Sequence, residues 1–127
     1  MGGAVVDEEL VQRVRSAVAD VVASSDGPTG DGTVSERRMF GGVAFLLDGA
    51  MAVAVSGRRG GGGGGLMVRV PPEERDALLA RPGVEPVRMR DAELRGWVVV
   101  EVAGSDDAAL RAWAGRGCAV AAAMGAP

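Results

Sequence analysis

The chain has 127 residues, a formal net charge of -3, no histidine and one cysteine, with 47% hydrophobic, 24% charged and only 3% aromatic residues. That is enough chain for one globular domain with a single core and too little for a catalytic domain plus a regulatory one, while the apolar content excludes disorder throughout. A lone cysteine excludes an internal disulfide and fits a reducing compartment.

In chain order, Met1 to Val6 lack the basic flank and long apolar stretch of a signal peptide, and Val6 stands where a myristoylation motif needs Ser or Thr. No window is apolar enough to span a bilayer, so the expectation is a soluble cytoplasmic protein with no membrane contact. From Asp7 to about Ser24 the spacing predicts an amphipathic helix. Leu10, Val14, Ala17, Val18, Val21 and Val22 recur at three and four, and Asp7, Glu8 and Glu9 suit the positive end of the helix dipole. Residues 24–36, rich in Ser, Gly, Asp and Thr around Pro28, read as a loop.

The period then changes to two. Val43, Phe45 and Leu47 alternate with Ala44 and Leu46, Asp48-Gly49 signals a tight hairpin, and Met51, Val53 and Val55 alternate back. A third strand is expected over residues 66–70, with Leu66, Val68 and Val70 on one face and Met67 and Arg69 on the other. Residues 58–65, Arg58-Arg59 followed by six glycines, read as a flexible hairpin loop, because poly-Gly has no side chains to bury and much entropy to lose.

Pro71-Pro72-Glu73-Glu74 predicts a helix start, and that short helix carries Leu78 and Leu79 before Arg81-Pro82-Gly83 ends it. Two strands follow, near Glu85 to Met89 and from Trp97 to Val102, with a loop over residues 90–96. Ser105 is the expected cap of a last helix whose buried stripe is Leu110, Trp113, Ala114, Gly117 and Ala121. The order helix, three antiparallel strands, helix, two strands, helix implies one α+β domain over residues 1–127 with the helices packed on one face of a sheet.

The chemistry-bearing residues are few. Gly27 to Thr33 imitates a phosphate-binding loop but lacks its lysine, and the glycine run joins two strands where a dinucleotide motif would open a helix. Glu73 and Glu74, like Asp106 and Asp107, are neighbours in a first helical turn and do not face one another. Without histidine, a metal site would need carboxylates at a spacing the chain does not have. No catalytic residue, metal or cofactor is expected. Cys118, on the last helix with no histidine to activate it, reads as a buried structural thiol.

Gly41-Gly42 should weaken a strand and so suggests a bulge, a bend or a close backbone approach. Arg69, pointing away from the Leu66 face, could meet an anion or a partner carboxylate, although such an arginine is more often solvated or paired with a neighbouring acid. Trp97, after Gly96, could face a partner, and its simpler reading is a side chain at the core or its edge.

The blocks Arg38-Met39-Phe40-Gly41-Gly42-Val43-Ala44-Phe45, Asp48-Gly49-Ala50-Met51, Leu66-Met67-Val68-Arg69-Val70 and Arg95-Gly96-Trp97-Val98, with Leu110 and Trp113, resemble the TfoX (Sxy) N-terminal domain family over about residues 8–122. The resemblance implies an α+β fold like that of secretion chaperones and a link to regulators of natural competence, which have no known catalytic activity. Its motif residues Met39, Phe40, Gly41, Gly42, Arg69, Arg95, Gly96 and Trp97 are the candidate interaction residues. Full-length regulators of this type carry a second, helical C-terminal domain, which is not expected in this chain, and its glycine loop is longer than the hairpin the family would have there.

The leading functional expectation is a non-enzymatic regulatory or protein-interaction domain whose partner the sequence does not identify. The rival is a nucleic-acid binder using Arg37, Arg38, Arg58, Arg59, Arg69 and Arg95. Residues 1–36 hold two arginines against seven acids and residues 58–95 eight against six, so the positive excess is small and the rival is not favoured. All 14 basic residues are arginine, which points to codon bias and weakens the reading of any single one. An uncovered sheet face would favour a homodimer, but no sequence feature fixes that interface.

Overall fold

The computed structural model describes residues 8–23, 34–39, 42–55, 65–89, 92–102 and 106–125. The elements are α1 (Glu8–Ala23), β1 (Val34–Met39), β2 (Gly42–Leu47), β3 (Ala50–Val55), β4 (Gly65–Arg69), α2 (Pro72–Leu79), β5 (Val84–Met89), β6 (Ala92–Glu101) and α3 (Asp107–Gly125). Six strands form one antiparallel sheet in the order β1-β2-β3-β4-β6-β5. The fold is α+β, as expected. The arginine and glycine stretch before Gly65 lies outside the described residues, and Gly65 itself opens β4.

The period-two pattern determines which face of the sheet is covered. Val43, Phe45 and Leu47 of β2, Leu66 and Val68 of β4 and Val98 and Val100 of β6 enter one core with residues of all three helices: Leu10, Val11, Val14, Ala17 and Val18 of α1, Leu78 of α2, and Leu110, Trp113, Ala114, Cys118 and Ala121 of α3. Burying each Val or Leu side chain stabilises the fold by about 1.5–3 kcal/mol, against at most about 1 kcal/mol for an exposed ion pair. The ion pairs therefore orient the helices that the core holds. Arg13 of α1 reaches Asp107 of α3 at 3.1 Å, and Arg116 of α3 reaches Glu74 of α2 at 3.1 Å.

At the β2–β3 turn Asp48 and Gly49 have φ of 52° and 88°, the pair of positive values that the tightest hairpin turn demands and that Asp-Gly tolerates best. Trp113 is 9% exposed, in the core as expected, and its ring lies beneath the guanidinium groups of Arg81 and Arg116 at 5.0 and 5.7 Å.

Three expectations need correction. Residues 34–36, read as loop, begin the edge strand β1, whose residues Val34 to Arg38 are all exposed, so no alternation of buried and solvated positions marks it in the sequence. The loop read over residues 90–96 is mostly strand. Met89 pairs with Ala92, and β5 and β6 continue as a hairpin through Val87 and Leu94. The cap of α3 is Asp106, whose Oδ1 accepts the Ala109 N–H at 2.8 Å; Ser105 lies outside the described residues. Gly42 opens β2 opposite Met39 of β1, a strand entry as its glycine suggests, and Phe40 and Gly41 lie outside the described residues.

Candidate functional site

Strand register sorts the candidate residues into two groups at opposite ends of the sheet. Met39 and Gly42 stand at one end, beside the row in which Val43 pairs with Val55, Val55 with Leu66, Leu66 with Val100 and Val100 with Val84. Arg69, Gly96 and Trp97 stand at the other end. There Arg69 of β4 is directly opposite Trp97 of β6, and the Val70 N–H donates to the Gly96 carbonyl at 2.9 Å. Arg95, two residues before Trp97 on the same strand, is exposed.

Alternation in β4 and β6 turns Leu66, Val68, Val98 and Val100 to the helices, which sends Met67, Arg69, Trp97 and Val99 to the opposite face. That face has its own apolar cluster. Ala44, Leu46 and Ala54 are buried, half-buried Met51 and Met67 pack against them, and among the described residues no helical residue belongs to the cluster. Trp97 and Val99 are half-buried beside it. The sequence pattern showed which residues alternate away from the core but not that those of β2, β3, β4 and β6 adjoin.

Contacts to a backbone carbonyl and to an aromatic ring help to hold Arg69 on this face. Its Nε donates to the Met51 carbonyl at 2.6 Å, and its guanidinium carbon lies 4.7 Å from the centroid of the Trp97 ring. Partial burial lowers its pKa from the ordinary arginine value, which still leaves the group charged at neutral pH. Arginine stacked on tryptophan keeps a cation on an apolar surface while its stem and the ring shield each other from water, an arrangement worth about 0.5–1 kcal/mol when exposed and more when desolvated. Arg69 and Gly96 also border a groove of about 600 Å³, walled by Pro71, Pro72, Val120 and Ala123 where β4 runs into α2.

Arg37 and Arg38 do not join this site. They lie on edge strand β1, with Arg38 3.9 Å from Glu8, and Arg58 and Arg59 lie outside the described residues. Among the described residues no three His, Cys, Asp or Glu gather as a metal site would require, and no helix is long and apolar enough to cross a membrane. Cys118 is fully buried, and burial pushes its thiol up to about 11, far from a thiolate at neutral pH.

The TfoX N-terminal domain family matches residues 29–121, nearly three-quarters of the chain. The chain belongs to that family. Every candidate interaction residue falls inside the matched span, whereas α1 precedes it, so the match is shorter than the resemblance over residues 8–122 suggests. No curated protein and no solved structure gave a significant match.

Proposed function

We propose that this domain is a non-enzymatic regulatory module, like the N-terminal domain of competence regulators, and that it works in the cytoplasm by binding another protein through the helix-free face of its sheet. The observation that carries the reading is the second apolar cluster, around Met51 and Met67, bordered by the Arg69–Trp97 stack. Methionine adapts its shape to a partner, and tryptophan and arginine dominate the energetics of protein interfaces. Membership in a family not known for enzymes supports the same reading, as does a single buried thiol with no activating histidine. Affinity purification from the native cytoplasm with wild type and Met67→Glu tests it. One protein held by wild type and lost from the variant, at equal unfolding midpoints, is the expected result. An identical set of bound proteins for both, or nucleic acid as the only ligand, would count against it.

A further inference from the structure

The two edges of the sheet are built differently. β5 carries Pro86, which has no N–H to donate, and its ladder with β6 shifts register between Pro86 and Val87. Both features blunt an edge against an added strand. β1 has neither. Its residues pair with β2 from Val34 to Met39 without a break in register, it stands last in the sheet order, and Val34 to Arg38 are all exposed.

Charge then selects what such an edge can accept. Glu36 is held by Arg15 of α1 through two hydrogen bonds of 2.6 and 2.8 Å, so its negative charge is already matched. Arg38 has Glu8 at 3.9 Å, while Arg37 has no ion pair among the described residues. Among the described residues the edge is therefore cationic, with Arg37 as its unmatched charge. Facing directions follow from the register. Ser35 and Arg37 point to the helix-free side, and Glu36 and Arg38 to the side of α1.

A second copy of β1 is a poor occupant. Two copies joined antiparallel about a two-fold axis perpendicular to the sheet place residues of the same face opposite each other. The register centred on Glu36 sets that acid against its own symmetry mate, the one centred on Arg37 sets Arg37 against its own, and like charges directly opposite are destabilising. The Glu36–Arg38 pairs that the second register also forms add little because Arg15 and Glu8 already engage those charges. A strand with an acid in that position has the reverse effect.

We propose that β1 is the docking edge for an extended acidic segment of a partner protein, which adds antiparallel to the sheet with a carboxylate opposite Arg37 and an apolar residue opposite Val34. The proposal rests on the interaction reading above and assigns it a second surface, separate from Trp97. Backbone pairing would supply affinity and the side-chain pairs selectivity.

The test is an amide NMR titration of the full chain with the peptide Val-Thr-Glu-Thr-Thr-Val, blocked at both ends, and with its counterpart carrying Arg in place of Glu. The expected result is shifts over residues 34–39 and 42–47 with the acidic peptide, an unmoved Trp97 indole, and weaker binding of the basic peptide. Arg37→Glu, and more mildly Arg37→Gln, should weaken the acidic peptide, by roughly fivefold for the reversal, and Arg37→Glu should favour the basic one. Equal binding of both peptides, or no movement of β1 amides, would overturn the proposal. Shifts confined to Trp97 and Val99 would overturn it while leaving the interaction reading intact. Duplex DNA moving the β1 amides where the peptide does not would replace it with a nucleic-acid site.

Discussion

Replacing Gly117 by alanine should destabilise the domain although alanine is the better helix former. β3 has one residue more than β2 at the register shift, where Phe45 pairs with Val53 and Leu46 with Met51, and Ala52 and Val53 both face the helices. α3 crosses there, and a Cβ on Gly117 would lie 2.3 Å from the Ala52 carbonyl oxygen, 2.9 Å from the Ala52 carbonyl carbon and 2.9 Å from Val53 Cγ1. Two of these are backbone atoms of a central strand, so relief requires α3 to lift by about 1 Å and thin its own packing. Overpacking of this kind costs about 1–3 kcal/mol, and with backbone as the obstacle the upper end applies; alanine's helix preference returns about 1 kcal/mol. The net is about 2 kcal/mol, or a fall in Tm of roughly 7 °C for a domain this size. Gly115, two residues earlier, is the control. Its added Cβ would find only Val21 Cγ2, at 4.0 Å, so Gly115→Ala should stabilise by about 0.5–1 kcal/mol. Thermal and urea unfolding of the two variants should move in opposite directions. A Gly117→Ala protein as stable as Gly115→Ala would refute the packing argument.

Three further outcomes follow from the same geometry. Trp113→Ala should cost about 3–5 kcal/mol, read by urea unfolding, because it empties a core position and strips the ring from beneath Arg81 and Arg116. Native Cys118 should resist iodoacetamide at neutral pH and react only as fast as the domain unfolds, since burial holds the thiol near 11; labelling faster than unfolding would show local access. The Arg15 hydrogen bonds hold Glu36 below the ordinary carboxylate range, so their contribution is present above roughly pH 4 and is lost as pH falls through the lowered value; Glu36→Gln should flatten that part of the acid limb of a stability-pH curve.

How much of this was legible in the sequence depends on how much of each segment is buried. Where one face meets the core, the residues carry a rhythm. The stripe Leu110, Trp113, Ala114, Gly117 and Ala121 is the buried face of α3, and Val43, Phe45 and Leu47 face the helices as their spacing predicts. β1 has no such rhythm because Val34 to Arg38 are all exposed, and in the β5–β6 hairpin Ala92 and Leu94 alternate with Glu93 and Arg95 over only four residues, too short a run to tell a strand from a loop. The candidate site was half legible. Alternation turns Arg69 away from the core, but Trp97 reads more simply as a side chain at the core or its edge, and that β4 pairs with β6, bringing the two together over the Met51 carbonyl, is a fact of sheet order that no local pattern encodes.

The central claim, that the helix-free face is where a protein partner binds, is tested most directly by site-resolved photocrosslinking in the native cytoplasm. A photoreactive residue at Met67 samples that face, and one at Arg111, exposed on α3, samples the helical layer. The account predicts a discrete protein adduct from position 67, weakened by Trp97→Ala, and none of the same mass from position 111. The same adducts from both positions, or an adduct from position 111 alone, would contradict it.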